Sequence, residues 1–172
     1  AMFGINPDSR AGPPLKAYLV AEDLKWCQAI VDGFLDPKAQ ESMGIDFTGR
    51  VARPSVIETD FSPILDAIEA SGARIILHVF SAVAGATFIK QWGERKVAAI
   101  PVGINVESQL QAFWAETGGK CDYETIMGSA GTRTMLFPDV EPLNTVEFWD
   151  LYEEKFGHSP IYTAVGVYGV VM

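Results

Sequence analysis

The run Arg74-Ile75-Ile76-Leu77-His78-Val79-Phe80 decides how this 172-residue chain is read. Ile75, Ile76, Leu77 and Val79 follow one another almost without a polar break, which is the pattern of a strand covered on both faces. Such a strand belongs inside a parallel sheet with helices packed above and below it. Gly72 before the run and Ser81 after it bound the element.

Working outward toward the N-terminus, Phe61, Ile64, Leu65 and Ile68 are spaced as on one helix face. Ser62 is placed to cap that helix, Pro63 suits its first turn because proline has no amide hydrogen to lose there, and Gly72 ends it. Further back, Ile45 to Ala52 reads as a short strand and Ala17 to Ala21 as another. Between them Leu24 to Ala39 carries Trp26, Ile30, Phe34 and Leu35 at helical spacing. Toward the C-terminus the spacing predicts a helix from Ser81 through Trp92 closed by Gly93, then a fourth strand over Val97 to Val102 ending at Pro101 and Gly103. A helix over Val106 to Glu116 with Leu110, Phe113 and Trp114 comes next, and a fifth strand over Cys121 to Met127. The alternation implies an α/β fold: an open parallel sheet of about five strands, helices on both faces and right-handed crossovers.

The texture changes at both ends of this lobe, which occupies residues 16–128. Residues 1–15, with Gly4, Pro7, Gly12, Pro13 and Pro14, read as a leader or linker. Residues 129–142, with Gly131, Pro138 and Pro142, read as a connection. Asn144 and Glu147 form a capping box for a helix through Phe156 whose Trp149, Tyr152 and Phe156 share a face. Tyr162 to Met172 begins an aliphatic helix without a stop signal. Residues 143–172 are therefore expected to be a C-terminal helical pair, cut short, whose apolar face invites self-association.

Composition narrows the function. Thirteen Lys and Arg against 22 Asp and Glu give a net charge of -9, which repels phosphate backbones and argues against nucleic acid as a partner. No apolar run approaches the roughly 20 residues that span a bilayer, and no export signal opens the chain. Cys27 and Cys121 have neither CxxC spacing nor a cluster with the two histidines. No metal is expected, and two unpaired thiols are the simpler reading beside a Cys27–Cys121 disulfide.

Open parallel sheets bind ligands beyond the carboxyl ends of their strands. That rule selects Glu22, Asp23 and Trp26 after the first strand, Phe80, Ser81 and Ala82 after the third, and Asn105 and Glu107 after the fourth. An aromatic ring, a hydroxyl, an amide and carboxylates suit an uncharged or cationic organic group. The plainer readings stand beside this one: Trp26 as a core residue of its helix, Ser81 as a simple cap, Asn105 and Glu107 as solvated loop residues. Catalysis would need a base within reach of a nucleophile, and only His78 and His158 are available. His78 sits in an apolar strand as a core residue and His158 in a Gly-His-Ser-Pro turn, while GxSxG, GxGxxG and GxxxxGK[ST] are absent. No enzyme activity and no cofactor is expected; a small α/β enzyme using Glu22 or Asp23 as base is the remote alternative.

Five segments in order carry a resemblance. They are Ala17-Tyr-Leu-Val-Ala-Glu-Asp-Leu-Lys-Trp26, Thr59-Asp-Phe-Ser-Pro-Ile-Leu65, Ile76-Leu-His-Val-Phe-Ser81, Ile100-Pro-Val-Gly-Ile-Asn-Val-Glu107 and Phe156-Gly-His-Ser-Pro-Ile-Tyr-Thr-Ala-Val-Gly-Val-Tyr168. Together they resemble the type I periplasmic binding proteins of the branched-chain amino acid class. The resemblance implies a two-lobed receptor that closes on a small organic solute and docks on the membrane permease of an ABC importer, in the periplasm or outside the cell. Residues 16–128 match its second lobe and the tail from Leu143 matches a helical pair of the first. It further implies that Trp26 is the aromatic against the solute and that Phe80 and Ser81 lie on a second contact loop. Asn105 stands where amino acid binders carry an acidic residue, which weakens the case for leucine or its relatives and leaves Glu107 as a stand-in. A ligand-sensing domain of a receptor or regulator is the alternative with the same fold.

Overall fold

The structure is a computed structural model that describes residues 13–126 and 143–171. Five parallel strands form one sheet: β1 (Leu15–Ala21), β2 (Ile45–Ala52), β3 (Ile75–Phe80), β4 (Ile100–Asn105) and β5 (Thr125–Ile126), in the order β2-β1-β3-β4-β5. Between them lie α1 (Lys25–Leu35), α2 (Pro37–Met43), α3 (Ser62–Ser71) and α4 (Ala84–Arg95), followed by the four-residue α5 (Phe113–Glu116). The α/β reading with helices on both faces is what the structure shows.

Side chains alternate across β1 and β3, so each strand feeds two cores. Ala17, Leu19, Ala21, Leu77 and Val79 pack with Cys27 and Val31 of α1 on one face. Tyr18, Val20, Ile76 and Phe80 pack with Leu65, Ile68, Phe88 and Ile89 of α3 and α4 on the other. This two-sided burial is why the Arg74 to Phe80 run carries almost no polar residue. The edge strand β2 is covered through Gln40 of α2, which accepts from the Phe47 amide at 3.1 Å and donates to the Leu35 carbonyl at 3.0 Å.

Several expected boundaries move, each for a physical reason. The single helix over Leu24 to Ala39 is two, because Pro37 drives Asp36 into an extended conformation (ψ 125°). The Asp36 carboxylate then caps α2 by accepting from the Lys38 and Ala39 amides. Ser62 is not the cap of α3: it lies inside the helix, and Asp60 accepts its amide hydrogen at 3.0 Å. Gln91 of α4 completes that entry by accepting from the Phe61 amide and donating to the Thr59 carbonyl, both at 2.8 Å.

The fourth strand begins at Ile100, three residues later than the expected Val97. Val97 and Ala99 are buried in the turn before it, where the Trp92 indole donates to the Ala99 carbonyl at 2.8 Å. Their apolar character marks core, not strand. Pro101 sits within β4, not at its end; β5 pairs only with Val102 and Gly103, so the ladder on that side is open at Pro101. Gly93 does not close α4, which runs on to Arg95; a Cβ on Gly93 would stand 2.2 Å from the Lys120 carbonyl oxygen.

The expected helix over Val106 to Glu116 is a 3-10 turn at Glu107–Gln109 followed by α5. Phe113 is buried while Leu110 and Trp114 are exposed, so one anchor holds the segment and no long helix has a face to bury. The fifth strand begins at Thr125, four residues later than the expected Cys121, after a turn in which Tyr123 adopts φ 72°; among the described residues it comprises Thr125 and Ile126, and Met127 lies outside them. Both cysteines are free. Cys27 is sealed in the core, where burial and then the nearby Glu22 push its thiol pKa up.

In the tail, α6 (Thr145–Phe156) has the expected capping box of Asn144 and Glu147, and α7 (Tyr162–Val171) packs back on it. Phe148 stacks on Tyr168 at 4.5 Å, and the Tyr168 hydroxyl bonds both the amide and the carbonyl of Leu143 at 2.9 Å. The shared aromatic face is Phe148, Tyr152 and Phe156; Trp149 turns aside to donate to Glu153. The Tyr162 amide donates to Gln109 at 3.2 Å and ties the pair to the lobe.

Candidate functional site

The register brings the strand ends to one level. Ala21 lies opposite Val79, Val79 opposite Ile104, Phe80 opposite Asn105, and Val20 opposite Ala52. Main-chain hydrogen bonds then stitch the residues just past those ends into a rim. Glu22 donates to the Val79 carbonyl at 3.1 Å, Asp23 to Pro54 at 2.9 Å and Val106 to Phe80 at 3.1 Å. Segments that follow four different strands thus share one edge of the sheet.

The side chains on that edge divide into two groups. Trp26, in the first turn of α1, is 43% exposed, and Asp23 and Val83 are exposed too, Val83 at 59%. Glu107 is half-buried and helps to line a pocket of about 500 Å³ with Val83, Ala86, Thr87, Lys90 and Glu116. These are the groups a small molecule can reach.

The second group is turned inward. Phe80, the last residue of β3, is fully buried, its ring edge-on to Phe61 at 6.0 Å and against Phe88 at 5.2 Å, so it does not stand on the second contact loop that the resemblance implies. Asn105 is also sealed, with 1% of its surface exposed, and its amide donates to Glu124 at 2.8 Å. Gly85 makes room for it: a Cβ there would lie 2.3 Å from Asn105 Oδ1. His78 completes this buried polar cluster, with Nε2 3.2 Å from Glu124 Oε1 and its ring near those of Phe80 and Phe88. As expected, His78 is a core residue.

Glu22 and Ser81 reach the rim but engage each other. The Glu22 carboxylate is fully buried and accepts from the Ser81 amide at 2.8 Å, the Ser81 hydroxyl at 2.6 Å and the Ala82 amide at 3.1 Å. Ser81 is therefore not the cap of α4, which starts at Ala84. Sequence reasoning missed Val83, Thr87 and Arg53. Arg53 follows β2 and donates to the Glu22 carbonyl at 3.4 Å and to Gln28. Only their place just beyond a strand or at a helix start marks them.

The local field is negative. Glu107 has its carboxyl pKa raised above the ordinary 4.5, first by burial, then by repulsion from Glu116 and Glu22. A carboxyl whose native pKa lies above its unfolded value binds its proton more tightly in the native state, so native stability falls as pH rises from 4.5 through the native value. Glu107→Gln is accordingly expected to melt above the parent chain at neutral pH and to converge with it below pH 4.5, read by thermal unfolding across pH. Among the described residues no cluster of His, Cys, Asp or Glu is placed to hold a metal ion, and no helix is long and apolar enough to cross a membrane.

In its parallel sheet and the helices on both faces of it, the chain is similar in fold to one lobe of the type I periplasmic solute-binding proteins of ABC transporters. Particular solved structures show the likeness. The solute-binding protein of an R. palustris ABC transporter, determined in complex with benzoate, matches with a TM-score of 0.65 and 17% identity over 88% of this chain and 39% of that one. A fatty acid ABC transporter substrate-binding protein from Thermomonospora curvata matches at 0.69 with 14% identity, covering 91% of this chain and 38% of that one. An amino acid ABC transporter substrate-binding protein from Pseudomonas fluorescens matches at 0.64 with 15% identity, covering 88% and 38%. At these identities the likeness is one of fold, and the chain spans well under half the length of each neighbour. No protein-family model matches the sequence, and no curated protein is detectably similar to it.

Proposed function

We propose that this chain is a ligand-binding lobe of an extracytoplasmic solute-binding receptor, one wall of a cleft that holds a small organic solute for delivery to the permease of an ABC importer. The observation that carries the reading is the rim: segments after four strands meet on one edge and leave Trp26, Val83 and Glu107 reachable there. Solved neighbours of this fold are transport receptors whose names specify benzoate, amino acids and fatty acids, which supports a small organic solute without selecting one. The reading calls for no bond chemistry and no cofactor, and it places the protein in the periplasm or outside the cell.

A single wall leaves much of a bound solute in water and forgoes the closure that makes a two-jawed clamp tight. A thermal-shift screen of the chain against aromatic acids, amino acids, betaines and amides, followed by calorimetric titration of any hit, tests the proposal. Weak binding, with dissociation constants above the micromolar range, is expected. Micromolar affinity from this wall alone, or a hit that needs a metal or turns over, would count against it.

A further inference from the structure

The Glu22 carboxylate has the surroundings of a bound ligand. Both of its oxygens accept hydrogen bonds from the β3–α4 turn: Oε2 from the Ser81 amide and hydroxyl, Oε1 from the Ala82 amide. It is fully buried, and among the described residues no Lys or Arg forms an ion pair with it. Arg53 is turned to the Glu22 main-chain carbonyl and to Gln28. Two converging turn amides and a hydroxyl form a concave donor site of the kind that accepts anions.

We infer that Glu22 is a built-in anion that occupies the β3–α4 turn. It positions Ser81 to Val83 at the rim and denies that turn to any carboxylate or phosphate from outside. The inference rests on the solute-cleft reading for its meaning: the end of a solute that meets this wall is uncharged or cationic. Three features agree. The donors that would hold an external anion are consumed within the fold. Glu107 and Glu116 stand in the adjoining pocket, and their mutual repulsion opposes further negative charge there. Val83, which follows the latched residues, is the exposed tip of the turn. Glu22 acts through the turn, so it is a positioning residue.

Chemical rescue tests this. Glu22→Ala empties the donor site, so its melting temperature is expected to fall in sodium chloride and to recover by several degrees in sodium formate or acetate at equal ionic strength. The parent chain should melt alike in all three salts, and its Ser81 and Ala82 amide resonances should not move with formate. A variant that folds but ignores formate, or a parent that gains as much as the variant, would overturn the inference. Should Glu22→Ala fail to fold, Glu22→Gln keeps the shape but offers one acceptor oxygen in place of two. Hydrogen exchange at Ser81 or Ala82 is then expected to quicken at least about tenfold while Leu77 in β3 is unchanged, since losing one acceptor opens the turn and not the sheet. Unchanged protection at both turn amides would sink the idea. These readouts involve no solute, so a failed solute screen leaves the latch standing, and a failed rescue leaves the receptor reading standing.

Discussion

Gly103→Ala is expected to prevent the lobe from reaching its native sheet. A Cβ at Gly103 would stand 1.9 Å from the His78 carbonyl oxygen, with two further His78 backbone atoms at 2.9 Å. Flexible side chains can swing away from such a contact; a strand backbone cannot. Gly103 is paired with His78 in register, so making room means prising β4 off β3 near the middle of the sheet. That places the change beyond the rare class that costs about 4–5 kcal/mol, because separating two strand backbones breaks several ladder bonds at once, a loss of the order of the whole stability of roughly 5–15 kcal/mol. Urea denaturation followed by circular dichroism would show a variant largely unfolded without denaturant. The internal control is Gly33→Ala in α1, where nothing lies within 4 Å of the added carbon. That change should stabilise by about 0.5–1 kcal/mol, because alanine loses less conformational freedom in a helix than glycine does. A well-folded Gly103→Ala would mean that β3 and β4 are not paired as described.

Phe88→Ala carries the second largest expected effect. Phe88 is, with Trp92, a ring through which α4 joins the core: it lies 5.2 Å from Phe61 and 5.2 Å from Phe80, and 6.4 Å from His78. Truncation removes apolar contact and leaves a cavity that backbone elements cannot fully collapse into, a combination worth about 3–5 kcal/mol. It also loosens α4, the helix whose preceding turn supplies Ser81 and Val83 to the rim. Denaturant midpoints should therefore fall steeply, whereas Trp114→Ala, which removes a larger but 60% exposed ring, should barely move them. Similar losses from the two would contradict the two-sided core.

The fold was legible where a strand is buried on both faces. Leu19, Val20, Ile76 and Val79 leave no ambiguity about what they are for, and Gly72 and the Asn144 to Glu147 pair mark helix ends by backbone chemistry that any reader can apply. Legibility failed where one apolar residue serves two masters. Val97 and Ala99 are apolar because a turn is buried, so β4 was expected three residues early, and that shift alone displaced Asn105 from strand to loop. In a strand running to Asn105, the alternation that buries Pro101 and Gly103 buries Asn105 as well. Phe80 is misread for a different reason: it is the last residue of β3, and position at a strand end says where the backbone goes, not which way the ring points.

The alignment of the strand ends is legible in the sequence, because it follows from parallel pairing. What the side chains do there is not. Glu22 meets its partners 59 and 60 residues away, and no local pattern announces a carboxylate that will be consumed by a distant turn. An acidic residue after an apolar strand looks the same whether it awaits a solute or a pair of amides.

The most direct test of the solute wall is a chemical-shift map of the isotope-labelled chain titrated with any hit from the solute screen. Perturbations are expected to gather at the Trp26 indole and the amides of Val83, Thr87 and Glu107, with the β-strand interior silent. Perturbations confined to the groove of Phe148, Tyr152 and Tyr168, or to the opposite edge of the sheet around Gly72 and Lys96, would show that the strand-end rim is not where this protein meets its solute.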